Sequence, residues 1–237
     1  MSQDRDLTLR LVCGLLASAA RLVPVPFLDD ILRERALQLM VSRTLKARGR
    51  SYGSAKVGPL YGDSRGCVEG CAVFVVLLPI RLLLFPFRKI LVWVMAVKYI
   101  ATDLSEAVLL GRALDAVLAD GRLPEGAEDG LLREDAMRIR RAFENAMAGT
   151  DMKLLATALR EALRGVSGLP RAALGALRKL GKKDDADPTE GLSGGQRQAV
   201  DEGTSKIQAV LATPEIAALL DRFDTKLAEN LAVLEAR

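Results

Sequence analysis

The feature that most limits how this chain can fold is a block of apolar residues in its first half. From Cys71 to Phe87 it reads CAVFVVLLPIRLLLFPF, and Arg81 is the only charge in those 17 residues. After Arg88 and Lys89 a second run, ILVWVMAV, leads to Lys98 and then to YIATDLSEAVLLG. A helix that crosses a bilayer core needs about 20 mostly apolar residues. The first run is shorter than that, with Pro79 and Arg81 near its centre. An arginine there costs about 2.5–3.5 kcal/mol on insertion scales, and each Leu, Ile, Phe or Val offsets roughly 0.3–0.6 kcal/mol of it.

Three arrangements satisfy this arithmetic. A proline-kinked hairpin dips into one leaflet, with Arg81, Arg88 and Lys89 snorkelling to head groups. One or two imperfect spans cross the bilayer. Or the segment is a core helix pair of a soluble bundle, its cations matched by acids elsewhere. Trp93 and Tyr99, close to Arg88, Lys89 and Lys98, suit a membrane interface, where such rings are enriched.

Around that block the chain reads as helix. Half of its 237 residues are apolar but only 4% are aromatic, and Ala and Leu are strong helix formers. Twenty Gly and nine Pro are enough to divide it into many helices, and no alternating strand pattern with turn dipeptides stands out. The expected fold is an all-α, multi-helix bundle with a central hydrophobic helical hairpin and a C-terminal amphipathic helix. The net charge of +4 is uneven: residues 1–100 hold 15 Lys/Arg against 7 Asp/Glu, and the remainder holds 19 against 23. Excess cations beside apolar sequence suit an anionic leaflet, which attracts each by about 1 kcal/mol.

The chain has no histidine. That excludes a histidine general base, a Ser-His or Cys-His nucleophile pair and a His-ligated zinc. Cys13, Cys67 and Cys71 form no disulfide framework, and Cys67 with Cys71 falls short of the four ligands of a structural zinc site. The expectation is a protein that is not an enzyme and takes no cofactor and no metal.

Along the chain, the first residues lack the pattern of a cleaved signal, because Asp4 and Asp6 sit among Arg5 and Arg10. Leu7 to Ala20 gives a helix with a broad apolar face. Pro24 and Pro26 force an extended stretch, and Asp29 or Asp30 caps an amphipathic helix from Ile31 to about Ala47. The end of that helix and its continuation carry Arg43, Lys46, Arg48 and Arg50, a polybasic stretch. Residues 49–66 read as a loop. Helices follow at Ser105–Leu118, Asp129–Ala148, Met152–Val166 and Pro170–Leu180, the second with Leu131, Leu132, Met137, Ile139, Phe143 and Met147 on its buried side. Residues 181–204 have the composition of a flexible linker.

The last helix is capped at Thr213, with Pro214 in its first turn. Leu219, Phe223, Leu227 and Leu231 lie on its apolar seam, which fits either packing on its own domain or docking on another chain. This divides the chain into a membrane-associating region (1–110), a soluble helical region (111–180), the linker (181–204) and the terminal helix (205–237).

Leu192-Ser193-Gly194-Gly195-Gln196-Arg197-Gln198 resembles the LSGGQ signature of ABC transporter ATPases. No phosphate-binding G-x-x-x-x-G-K-[ST] loop accompanies it, and a Ser-x-x-Gln capping box opening a helix at Gly194 explains the same residues. The acid pairs Asp29/Asp30 and Asp184/Asp185 fit a helix cap and a linker. The basic helix lacks stacking aromatics, so nucleic acid is not the expected partner.

Residues 17–53 resemble bacterial membrane-associated helical domains of the YcjF and EcsC type. The likeness rests on the small-residue helix, the proline-spaced Leu22-Val23-Pro24-Val25-Pro26, Asp29, and an amphipathic helix ending in Tyr52-Gly53. It implies a helical, membrane-bound accessory protein, in some relatives linked to a GTPase, with no catalytic residues to transfer.

The expectation is therefore a non-catalytic protein at the cytoplasmic side of the inner membrane. It would bind anionic lipids through Arg43, Lys46, Arg48, Arg50, Arg81, Arg88, Lys89, Trp93 and Lys98, and a protein partner (a GTPase or a second copy) through Leu219, Phe223, Leu227 and Leu231. The alternative is a soluble helical carrier that folds residues 71–110 around a lipid or another apolar ligand.

Overall fold

A computed structural model describes residues 2–20, 28–53, 56–62, 85–125, 128–169, 172–173, 175–176 and 192–236. Its regular structure is helical throughout: α1 (Ser2–Ala20), α2 (Leu28–Ala47), a 3-10 turn (Gly58–Leu60), α3 (Phe85–Ala119), α4 (Asp129–Ala148), α5 (Met152–Leu163), α6 (Gly194–Leu211) and α7 (Pro214–Glu235). Among the described residues there is no strand, and the helices pack on one another as a bundle. The first arm of the expected hairpin, 71–84, lies outside the described residues, as do Cys67, Cys71, Arg81 and the Pro24–Pro26 turn.

The second apolar run and the helix expected at Ser105–Leu118 are one element. Nothing between Phe87 and Ala119 breaks it, and Pro86 sits in its first turn, where a missing N–H costs nothing. At 35 residues α3 is about 52 Å long. Its C-terminal half is the axis of the bundle: Leu104, Ala107, Leu109, Ala113, Leu114 and Val117 are fully buried.

α1 lies antiparallel to α3 at close range. A Cβ on Gly14 would stand 2.9 Å from Leu104 Cδ1 and 3.0 Å from Leu104 Cα, so glycine is what permits the approach. A turn away, the Arg10 side chain crosses Gly111, where a Cβ would collide with its guanidinium, and reaches Asp115. α2 runs parallel to α3, with Arg33 at Asp103 and Glu106, and Arg48 at Asp115. α5 packs on α3, α6 packs on α1 and α5, and α4 pairs with α7.

One continuous core draws on all seven helices, and residues on both sides of the expected division at 110 belong to it. From Gly194 onward the expected linker is helix. Ser193 and Gln196 form the reciprocal capping box, and the helix it opens buries Ala199, Val200, Gly203 and Thr204. A stretch rich in Gly, Asp and Gln becomes ordered there because small residues let the helix lie flat on α1: a Cβ on Gly203 would meet Leu11, Leu163 and Leu169. At α7 the helix begins at Pro214 as expected, but Thr213 makes no side-chain cap; its hydroxyl donates to the Val210 carbonyl. On α4, Leu132, Ile139 and Phe143 are buried as expected and Leu131 is exposed, whereas Arg140 is buried on the core side.

Candidate functional site

The residues assigned to lipid contact from sequence fall into two groups. The antiparallel register of α1 places Ala20 opposite about residue 100 of α3, and the parallel register of α2 places its first residues at the same level. Both partners of α3 therefore begin or end there, and its first 15 residues, Phe85–Tyr99, run on past them. Arg88, Lys89, Trp93 and Lys98 lie on that leading half. Arg43, Lys46, Arg48 and Arg50 lie at the other end of the bundle, since Arg48 is level with Asp115, about 26 Å along the α3 axis from Lys98. The polybasic stretch and Phe85–Tyr99 thus lie at different levels along α3.

Arg48 and Arg50 at that far end have internal roles. Arg48 pairs with Asp115 at 2.9 Å, the same carboxylate that Arg10 reaches from α1. Arg50 donates to the Leu123 carbonyl at 2.9 Å, and the Tyr52 hydroxyl donates to the same oxygen. Leu123 is buried with φ +55°, a left-handed backbone that a leucine adopts only under constraint, so the two donors brace a strained turn after α3. Charge and periodicity along α2 do not show this, because the acceptor is a main-chain oxygen 73 residues away.

The terminal seam is likewise used internally. Leu219, Phe223, Leu227 and Leu231 are all buried, chiefly where α7 meets α4, and the Phe223 ring packs edge-on to Phe143 with centroids 6.0 Å apart. Their assignment to partner docking is corrected to core packing, the other reading the seam allowed.

The structure assembles a charged cleft that sequence reasoning did not single out. It is open, about 590 Å³ in volume, and forms where α2, the 3-10 turn, α3, α4 and the start of α5 converge. Arg33 pairs with Glu106 and lies 3.7 Å from Asp103, which is only 1% exposed. Glu106 also faces Arg140 Nη2 at 3.7 Å. Arg140, 9% exposed, donates from Nε to Glu144 at 2.7 Å and from Nη1 to the Leu60 carbonyl at 3.4 Å, and its guanidinium lies 5.4 Å from the Phe143 ring centre. Tyr61, Met147 and Met152 form its less polar wall. The signal available in sequence was Arg140 itself, an arginine three residues before Phe143 on the apolar side of α4.

No group of carboxylates and thiols able to hold a metal ion occurs among the described residues. No described helix is long and apolar enough to cross a membrane. No family model, curated protein or solved structure matches the chain.

Proposed function

We propose that this protein is a non-catalytic, membrane-associated helical protein that attaches to the cytoplasmic face of a bacterial inner membrane through residues 71–100 and carries its bundle there for a protein partner. The observation that supports this reading is α3. One uninterrupted helix starts in the apolar, cation-bearing stretch FPFRKILVWVMAVKYI, runs past the ends of α1 and α2, and becomes the buried axis of the bundle. Such a helix transmits attachment at one end directly to the orientation of the folded part. Arg88, Lys89 and Lys98 supply the attraction to anionic lipid, with Trp93 and Tyr99 suited to the head-group region. The likeness to YcjF- and EcsC-type domains points the same way and makes a GTPase, or a second copy, the partner to look for. An internal lipid pocket over 71–110 receives no support from its described part, since Leu104 to Leu110 are packed tightly in the core.

Co-sedimentation with vesicles containing anionic lipid tests the reading. Reversing Arg88, Lys89 and Lys98 to glutamate should weaken binding by about a hundredfold or more, at about 1 kcal/mol for each cation removed. Replacing Arg48 should leave vesicle affinity within about twofold, because that side chain serves Asp115. Full recovery of the protein in the soluble fraction at low salt without detergent would refute the attachment.

A further inference from the structure

The charged cleft has a donor excess that its own carboxylates do not meet. Arg33 and Arg140 together carry ten N–H groups. Arg33 makes one hydrogen bond, to Glu106; its Nε is buried and makes none. Arg140 makes two, to Glu144 and to the Leu60 carbonyl, and its Nη2 stands 3.7 Å from Glu106, beyond hydrogen-bond range. Arg33 Nε is turned to Asp103, so six Nη N–H groups without a protein acceptor remain on two side chains that line one cleft from two elements, one of them nine-tenths buried. Paired guanidinium forks are the arrangement that grips a carboxylate or phosphate through two parallel hydrogen bonds.

The charge balance opposes a bare anion. Asp103, Glu106 and Glu144 outnumber the two arginines, so the cleft has one negative charge in excess before any ligand enters. A ligand that offers acceptors to the arginines must therefore bring its own positive charge to the carboxylates. Glu144 is placed to receive it: it is one-third exposed at the cleft mouth, whereas Asp103 is sealed behind Arg33. Tyr61, Met147 and Met152 leave a less polar wall for a short carbon skeleton, and about 590 Å³ is room for a small molecule.

From these two constraints we infer that the cleft is a binding site for a compact zwitterion, its oxyanion held between Arg33 and Arg140 and its ammonium beside Glu144. The same chemistry occurs in a free amino acid and in a phosphoethanolamine head group. The site is independent of the membrane attachment proposed above, because none of its residues belongs to 71–100.

Calorimetric titration of the full chain with L-leucine and with O-phosphoethanolamine tests the inference, with isocaproate and isoamylamine as leucine analogues lacking one charge each. Saturable binding is expected for a zwitterion, with both single-charge analogues at least about tenfold weaker. Tighter binding of leucine assigns the site to free amino acids, and tighter binding of phosphoethanolamine assigns it to the head group. Glu144→Gln should weaken the zwitterion about tenfold while leaving isocaproate unchanged or tighter. Arg33→Gln, at a side chain 30% exposed, should abolish binding with the thermal midpoint recorded to verify folding. Absence of saturable binding by either zwitterion up to about 10 mM, or isocaproate binding as tightly as leucine, would overturn the inference and leave the cleft a structural ion-pair network.

Discussion

Truncation of Phe223 distinguishes an internal role for the terminal helix from a docking role. The ring is fully buried and sits edge-on to Phe143, so Phe223→Ala removes the burial of the ring and one aromatic contact. Phe→Ala in a core costs about 3–5 kcal/mol, and a T-shaped pair adds about 0.5–1.5 kcal/mol beyond area. The two estimates overlap, because mutational values already contain pair contacts, which places the expected loss near 4–5 kcal/mol. For a chain of this size each kcal/mol shifts the thermal midpoint by about 2–4 °C, so a drop of about 10–15 °C is expected. Since total stability is typically only about 5–15 kcal/mol, a large share of the fold's margin rests on this residue. Urea denaturation followed by far-UV circular dichroism measures the free energy, and Val233→Asp serves as the control. Val233 is on the same helix but 54% exposed, and its replacement should change stability by no more than about 0.5 kcal/mol. A Phe223→Ala protein with an unaltered midpoint and slope would refute the packing argument and return the seam to a partner.

Three further substitutions test other contacts. Gly14→Ala should lose about 1–3 kcal/mol in the same denaturation experiment, because the added methyl meets the Leu104 main chain and α1 has to move away from α3. Arg50→Ala should destabilise by about 1–2 kcal/mol through the weakened Leu123 turn, and vesicle binding by the folded fraction should be unchanged. Ser193→Ala should cost about 1 kcal/mol by opening the capping box of α6, while a fluorescent nucleotide analogue should show no binding to either protein.

What the sequence made legible was periodicity, and it failed where contacts cross between elements. The helical class, the extent of α4 and the capping box at Ser193 all rest on residues within a few positions of one another, and all are found. Composition alone does not separate linker from helix over 194–204. Gly203 looks like a loop residue until Leu11, Leu163 and Leu169 are seen to occupy the space where its side chain would be. The join of the second apolar run to the Ser105 helix was missed for a different reason. Thr102, Asp103 and Ser105 interrupt the apolar pattern and read as a boundary, but Asp103 is matched by Arg33 and the Ser105 hydroxyl bonds back to the Ala101 carbonyl.

The charges show why the cations assigned to lipid contact from sequence fall into two groups. A run of cations has the same signature in sequence whether it faces head groups or a set of scattered acids and carbonyls in its own fold. Asp115, Glu106 and Leu123 are 67 to 73 residues from their arginines, so no window along α2 reveals them. Cations with internal partners of that kind are committed to the fold, and freeing one for a membrane would leave Asp115 to Arg10 alone or the Leu123 carbonyl to Tyr52 alone. The stretch before Ala101 differs in that its cations are spaced along a helix that runs on past the ends of α1 and α2. If lipid is the partner, affinity should therefore follow the number of cations between Arg88 and Lys98, and folding stability should follow those between Arg48 and Arg50.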